Sequence, residues 1–161
     1  LRCELSTGHC ETAYETATPT AFCNAGTLRG GSGAVRIGER FVGVLHRLHP
    51  GCGHGKYAKP ETACHDGYEH AFYELQGEPP FAMQALSDWF RFPDVLDDAH
   101  RSCVTSWMIS GRALNRVQFC AGISRVGEDL MLAFGAGDAE AYTVRIPVVE
   151  ALQALRCSVR P

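Results

Sequence analysis

Nowhere in the 161 residues do apolar side chains run for the ~20 positions that a membrane helix requires. The longest near-apolar stretch, Phe41 to Leu45, is the length of a strand, so no membrane insertion is expected. There is no CxxC pair, which argues against a thioredoxin-type redox motif and a zinc ribbon. There is no basic run either. With a net charge of −3 and dispersed arginines, nothing marks a nucleic acid or an anionic membrane as partner. Helical periodicity is scarce throughout. Apolar residues at 45% and charged residues at 20% are ordinary for a folded globular chain, and the length suits one domain.

Cysteine is plentiful instead. Eight residues, an even number, point to disulfides and a secretory-pathway or extracellular setting, with the Golgi lumen as one possibility. About a hundred pairings are open to eight cysteines. The local expectation is Cys52 with Cys64, closing a Pro- and Gly-rich loop over 49–66. On a chain-entropy model, such a link contributes about 3 kcal/mol. Cys120, inside the apolar run Val117 to Ile123, reads instead as a free cysteine packed as a small hydrophobe.

Turn residues cut the chain into short β-type runs. Arg2 to Leu5 and Glu11 to Thr16 form a first hairpin, with its turn at Ser6 to His9, and 18–33 reads as a long loop. Ala34 to Ile37, a Gly38-Glu39-Arg40 turn and Phe41 to Leu48 make the clearest hairpin. Its second strand is apolar on both faces, as in a sheet covered from both sides. Tyr68 to Leu75 and Phe81 to Leu86 follow around Gly77-Glu78-Pro79-Pro80, and Val104 to Ile109 suits a strand edge. The last third gives three strands at 117–125, 129–134 and 139–146. A short helix at about 147–156 closes the chain, with Pro147 at its first position and Val148, Leu152 and Leu155 on one face. The expected fold class is all-β: a partial β-propeller of two to three antiparallel blades plus that helix.

Three constellations could carry chemistry. Leu28-Arg29-Gly30-Gly31-Ser32-Gly33 could bring backbone N–H groups close to a ligand. It lacks the Lys-Ser/Thr of a phosphate loop, and a hairpin rather than a helix follows it. Asp138 and Glu140, two apart after a Gly-rich corner, could hydrogen-bond sugar hydroxyls, or Asp138 could serve only its turn. The cluster of His46, His49, Cys52, His54, Cys64, His65 and His70 invites zinc, but its spacing matches no standard ligand pattern, so no metal and no cofactor are expected.

The stretches GGSGAVRIGERFVGVLHRL and LMLAFGAGDAEAYTVRIPVVEAL, with YEHAFYEL and LRCELSTGHCE, cover about half the chain. Together they resemble the C-terminal blades of five-bladed β-propellers of the β-mannoside phosphorylase and glycosidase superfamily. They are most similar to propeller modules within or beside glycosyltransferases. The resemblance implies a single domain over 1–161, the C-terminal part of a larger propeller, with blade fragments at about 1–17, 28–92 and 117–146. It implies a carbohydrate-active module that binds a glycan, in a protein that makes or cleaves glycosidic bonds. Arg29, Gly31, Ser32, His46, Asp138 and Glu140 would face the sugar. The general acid of such enzymes would lie upstream, and the remaining blades or another chain would complete the propeller. The alternative is a non-catalytic, disulfide-stapled extracellular binding module.

Overall fold

The computed structural model describes residues 2–13, 15, 28–48, 67–95, 117–137 and 140–158. Cys52, Cys64, Asp138 and the strand edge expected at Val104 to Ile109 lie outside these residues.

The first hairpin pairs β1 (Arg2–Glu4) with β2 (His9–Glu11). Its second strand therefore ends where the sequence reading began it. The reason is covalent and local: Cys3 and Cys10 face each other across the ladder and form a disulfide, with Gly8 at positive φ in the turn between them. Both strands are exposed throughout, so the link holds a hairpin that buries little apolar surface.

A four-stranded meander follows: β3 (Ala34–Ile37), β4 (Arg40–Leu48), β5 (Tyr68–Gln76) and β6 (Met83–Leu86). Val42 to His46 are buried without alternation, so β4 is covered on both faces as its composition requires. β6 begins later than expected, because Phe81 takes a positive φ after the turn and packs edge-on against Phe41 with ring centroids 6.0 Å apart.

The second sheet is β7 (Gln118–Val126), β8 (Asp129–Ala136) and β9 (Glu140–Pro147), again in sequence order. Pro147 belongs to β9, paired with Asp129, and the helix α1 (Val148–Ser158) starts one residue later, where Val148 N–H donates to Glu128 O at 2.9 Å. Proline ends the strand here because it can donate nothing further to a ladder. α1 lays Val148, Ala151 and Leu155 into the core.

The two sheets share one apolar core, with Val42, Val44 and Phe72 on one side and Cys120, Leu130, Leu132 and Phe134 on the other. Cys120 is a free, buried thiol, as its surroundings in the sequence suggested, and burial pushes it up to about 11. The sheets are also tied by a polar link. Gln118, only 1% exposed, accepts from Phe92 N–H at 3.0 Å and donates to Phe92 O at 3.0 Å and Pro93 O at 3.2 Å. Its primary amide replaces a strand neighbour for the segment leaving the first sheet, and Phe92 then stacks flat on Phe134 at 4.1 Å.

Gln118→Leu keeps the volume and strips three backbone groups of their partner, the buried N–H and C=O of Phe92 and the part-buried C=O of Pro93. At about 1–3 kcal/mol for each buried unpaired group, the two Phe92 groups alone are expected to cost roughly 2–6 kcal/mol. The check is the urea midpoint at unchanged slope, and an unshifted midpoint would show that Phe92 finds other partners.

Candidate functional site: a histidine row opening between two sheets

The centre of the first sheet is a cross-strand pair of histidines, His46 on β4 and His70 on β5. Each is bridged outward to a segment beyond its own hairpin: Arg29 pairs with His46, and Phe90 with His70. The expected loop at 28–33 is thus in part a broken strand. Arg29 N–H donates to His46 O at 2.9 Å and His46 N–H to Arg29 O at 3.1 Å. On the other flank, His70 and Phe90 exchange the same two bonds at 2.8 Å each.

Serines close the next step of the ladder on both flanks. Ser32 N–H donates to Val44 O at 2.9 Å, and its Oγ accepts from Val44 N–H at 2.9 Å. Ser87 does the same for Phe72, at 2.8 and 2.9 Å. Because Val44 and Phe72 are themselves paired, the sheet is built about an approximate two-fold between the histidines. The Ser32 hydroxyl also donates to Gly33 O at 2.7 Å, so its hydrogen-bonding capacity is taken up within the sheet. Gly31 is wedged where this detour meets the second sheet: a Cβ there would stand 2.5 Å from Val44 O and 3.3 Å from Cys120 O.

Aromatic rings surround the histidines. Tyr68 and Phe119 meet the His46 ring edge-on, at 5.3 and 5.0 Å, and Phe92 meets His70 at 4.7 Å. Phe119 is 42% exposed and carries this cluster to solvent, with exposed Arg29 beside it on the His46 bridge. His46 is 5% exposed and His70 is fully buried. His46 Nδ1 and both ring nitrogens of His70 have no hydrogen-bond partner. Burial first, then the Arg29 charge, lowers His46 below the usual imidazole range, with the Gly30 backbone opposing. Burial, then His46, brings His70 to about 4, with the Gln118 backbone pulling weakly the other way. Both rings are therefore neutral near pH 7. They can offer hydrogen bonds but no charge.

Of the residues expected at a sugar, the structure places Arg29 and His46 at this opening, while Gly31 is wedged against the second sheet and Ser32 is buried with its hydroxyl bonded within the first. Glu140 opens β9 on the same side: it pairs with Ala136, which pairs with Gln118 beside Phe119. Gly137 N–H donates to Val117 O at 2.8 Å, tying that corner to the start of β7. The sequence reading did not single out Tyr68, Phe92, Gln118 or Phe119 as site residues. A register aligning His46 with His70 would have exposed the first of these, but the others depend on how one sheet meets the next. Among the described residues, no three His, Cys, Asp or Glu side chains group closely enough to hold a metal ion.

Two successive antiparallel sheets packed face on face, each a meander in sequence order, define a partial β-propeller with a C-terminal helix. Among solved structures, the chain is similar to the β-1,2-mannobiose phosphorylase of Listeria innocua in complex with β-1,2-mannobiose, at a TM-score of 0.53 and 16% identity. The alignment covers 88% of this chain and 33% of that one, so the chain spans about a third of the enzyme. At this identity the likeness is one of fold. No protein-family model matches the sequence, and no curated protein does.

The neutral, buried His70 makes stability depend on pH. Its folded pKa lies near 4, below the ordinary 6.5, so between these values the unfolded chain binds a proton that the folded one refuses. Stability is full above about pH 6.5 and is lost as pH falls toward 4, by roughly 3 kcal/mol, with His46 adding in the same direction. His70→Phe, which removes both unpartnered nitrogens, should flatten the unfolding midpoint over that window. An unchanged slope would place the titration elsewhere.

Proposed function

We propose that this chain is the C-terminal segment of a carbohydrate-active propeller protein, and that the opening around His46 forms part of its sugar site. The observation that carries the reading is the combination at that opening. A neutral imidazole is held edge-on by Tyr68 and Phe119, next to an exposed guanidinium, on the fold of a mannobiose phosphorylase. The face of an exposed aromatic ring takes the C–H face of a pyranose. A neutral histidine and an arginine offer donors to hydroxyl or phosphate oxygens. Glu140 supplies an acceptor from the neighbouring sheet, and by its motif Asp138 supplies another.

The catalytic acid, on this reading, comes from an earlier blade, and the reaction follows the inverting route, an acid protonating the leaving oxygen while phosphate or water attacks. The motifs favour a module working with a glycosyltransferase, in the secretory pathway. Further blades or another chain complete the ring, because an open propeller leaves strand edges unpaired. The Cys3–Cys10 disulfide favours one second reading, a stapled extracellular module that binds glycans without turning them over. Retained sugar binding in a full-length protein without turnover would select it.

The test is sugar binding by the full-length protein, measured calorimetrically with β-mannosides and other glycosides. Phe119→Ala should weaken binding roughly tenfold, the ~1.4 kcal/mol of an aromatic contact, and Arg29→Ala comparably. Unfolding stability should barely move for Arg29→Ala, which is exposed, and should fall by about 1 kcal/mol for Phe119→Ala, whose ring is partly buried against His46. Unaltered binding in both variants would remove this opening from the sugar site.

A further inference from the structure

The histidine row lies where the first sheet is most lightly held. The ladders from β3 and β6 reach only to Gly43 on one flank and Tyr73 on the other. The Ser32 and Ser87 hydroxyls hold the next residues, Val44 and Phe72. Beyond that step, His46 and His70 have one isolated outward bridge each, to Arg29 and Phe90. The same two rings form the edge of the contact between sheets. His46 meets Phe119, and His70 meets Phe92, which stacks on Phe134. Parting the row from the second sheet thus breaks the bridges and these ring contacts, and leaves the serine step and the ladders intact.

The charge on the rings governs that contact. Facing them are Arg29 from the bridging segment, Tyr68 from β5, Phe90 and Phe92 from the segment after β6, and Phe119 from β7. The Gln118 backbone lies beside His70, and the Cys120 thiol lies deeper in the same core. The carboxylates of these elements lie elsewhere. Glu69 is on the other face of β5, with Oε2 2.9 Å from Arg47 Nε and Nη2 and Oε1 3.8 Å from Arg91. Glu74 pairs with Arg40 toward the far end of the hairpin, and Asp88 and Glu140 are exposed. The charges that act on the pair are Arg29 at His46 and His46 at His70, and both oppose a proton. The two rings stand 6.3 Å apart between centroids, and three of their nitrogens are buried without a partner. An imidazolium buried without a counter-ion is costly, and water is one ring away, at exposed Phe119 and Arg29. The rest of the core between the sheets, including Val42, Leu130, Leu132, Ala151 and Leu155, takes up no proton.

We infer that the His46–His70 pair is an acid-operated latch: neutral, it holds the row closed on Phe119 and Phe92, and protonated, it parts the row from the second sheet while the remaining core stays folded. The opening beside Arg29 is thereby closed at neutral pH and widened in acid, whatever it binds. The inference goes beyond the sugar reading and stands without it.

The experiment is amide hydrogen exchange of the full chain at pH 7 and pH 5, corrected for the intrinsic effect of pH, over a series of urea concentrations below the unfolding transition. Parting the row exposes few residues. The amides of Arg29, His46, His70 and Phe90 should therefore exchange through a step nearly independent of urea, and those of Leu132 and Leu155 through the urea-dependent global step. With His70 near 4 when closed and about 6.5 when open, the row step should become roughly twentyfold more frequent at pH 5. In His70→Phe the row should keep its urea-independent step and lose most of that response. Should this variant not fold, the wild-type pattern decides by itself. Row amides that follow the global urea slope at both pH values would overturn the latch, as would a urea-independent step that ignores pH. The same twentyfold response in folded His70→Phe would overturn it too.

Discussion

The fold depends on satisfying the backbone in the middle of β4 and β5. These strands are covered on both faces, so every N–H and C=O at their centre must find a partner inside the protein. A regular neighbour on each side would do this, but β3 stops at Ala34 and β6 at Leu86, short of the histidine row. The missing length is supplied by two irregular segments, each contributing one backbone bridge and one serine hydroxyl. Gln118 repeats the device between sheets, for Phe92. Irregular chain is thereby brought to the interior without orphaned backbone groups.

That arrangement explains what the amino-acid order could and could not reveal. β3, β4, β5 and the three strands of the second sheet follow from alternation, doubly apolar runs and glycine turns, signals that reside within a few residues. The helix is visible for the same reason, and its start is displaced by one residue only because Pro147 can end a strand as well as open a helix. The Cys3–Cys10 pairing is not legible, since it depends on a register that eight cysteines leave open. Nor are the roles of Ser32, Ser87 and Gln118. A serine in a Gly-rich loop looks like a ligand contact, and only the register shows its hydroxyl facing Val44. Phe119 looks like one more core residue until β7 is seen to place it at the edge of the second sheet, against His46.

The histidines sharpen the point about cost. Three ring nitrogens without partners in a buried cross-strand pair are an expense that phenylalanine would not incur at either position. His70 lies among the rings of His46, Phe90 and Phe92, an apolar packing that a phenylalanine would also fill. His46 lies at the boundary, with one edge toward Phe119 and its backbone on Arg29. The neutrality of His46 is enforced by the same burial that makes it costly. The polarity of this row is the feature that the proposed sugar site would account for.

The row also joins the two flanks mechanically. Arg29, His46, His70 and Phe90 are consecutive across the sheet, each hydrogen-bonded through backbone to the next. Arg29 and Phe90 are thus the two ends of one hydrogen-bonded line. Ladder hydrogen bonds shared along such a line resist relative sliding, and a shift of the Gly30–Gly33 detour would have to break the Ser32 bonds to Val44 before it moved His46. The spacing between the two ends is therefore fixed by the sheet and not by loops.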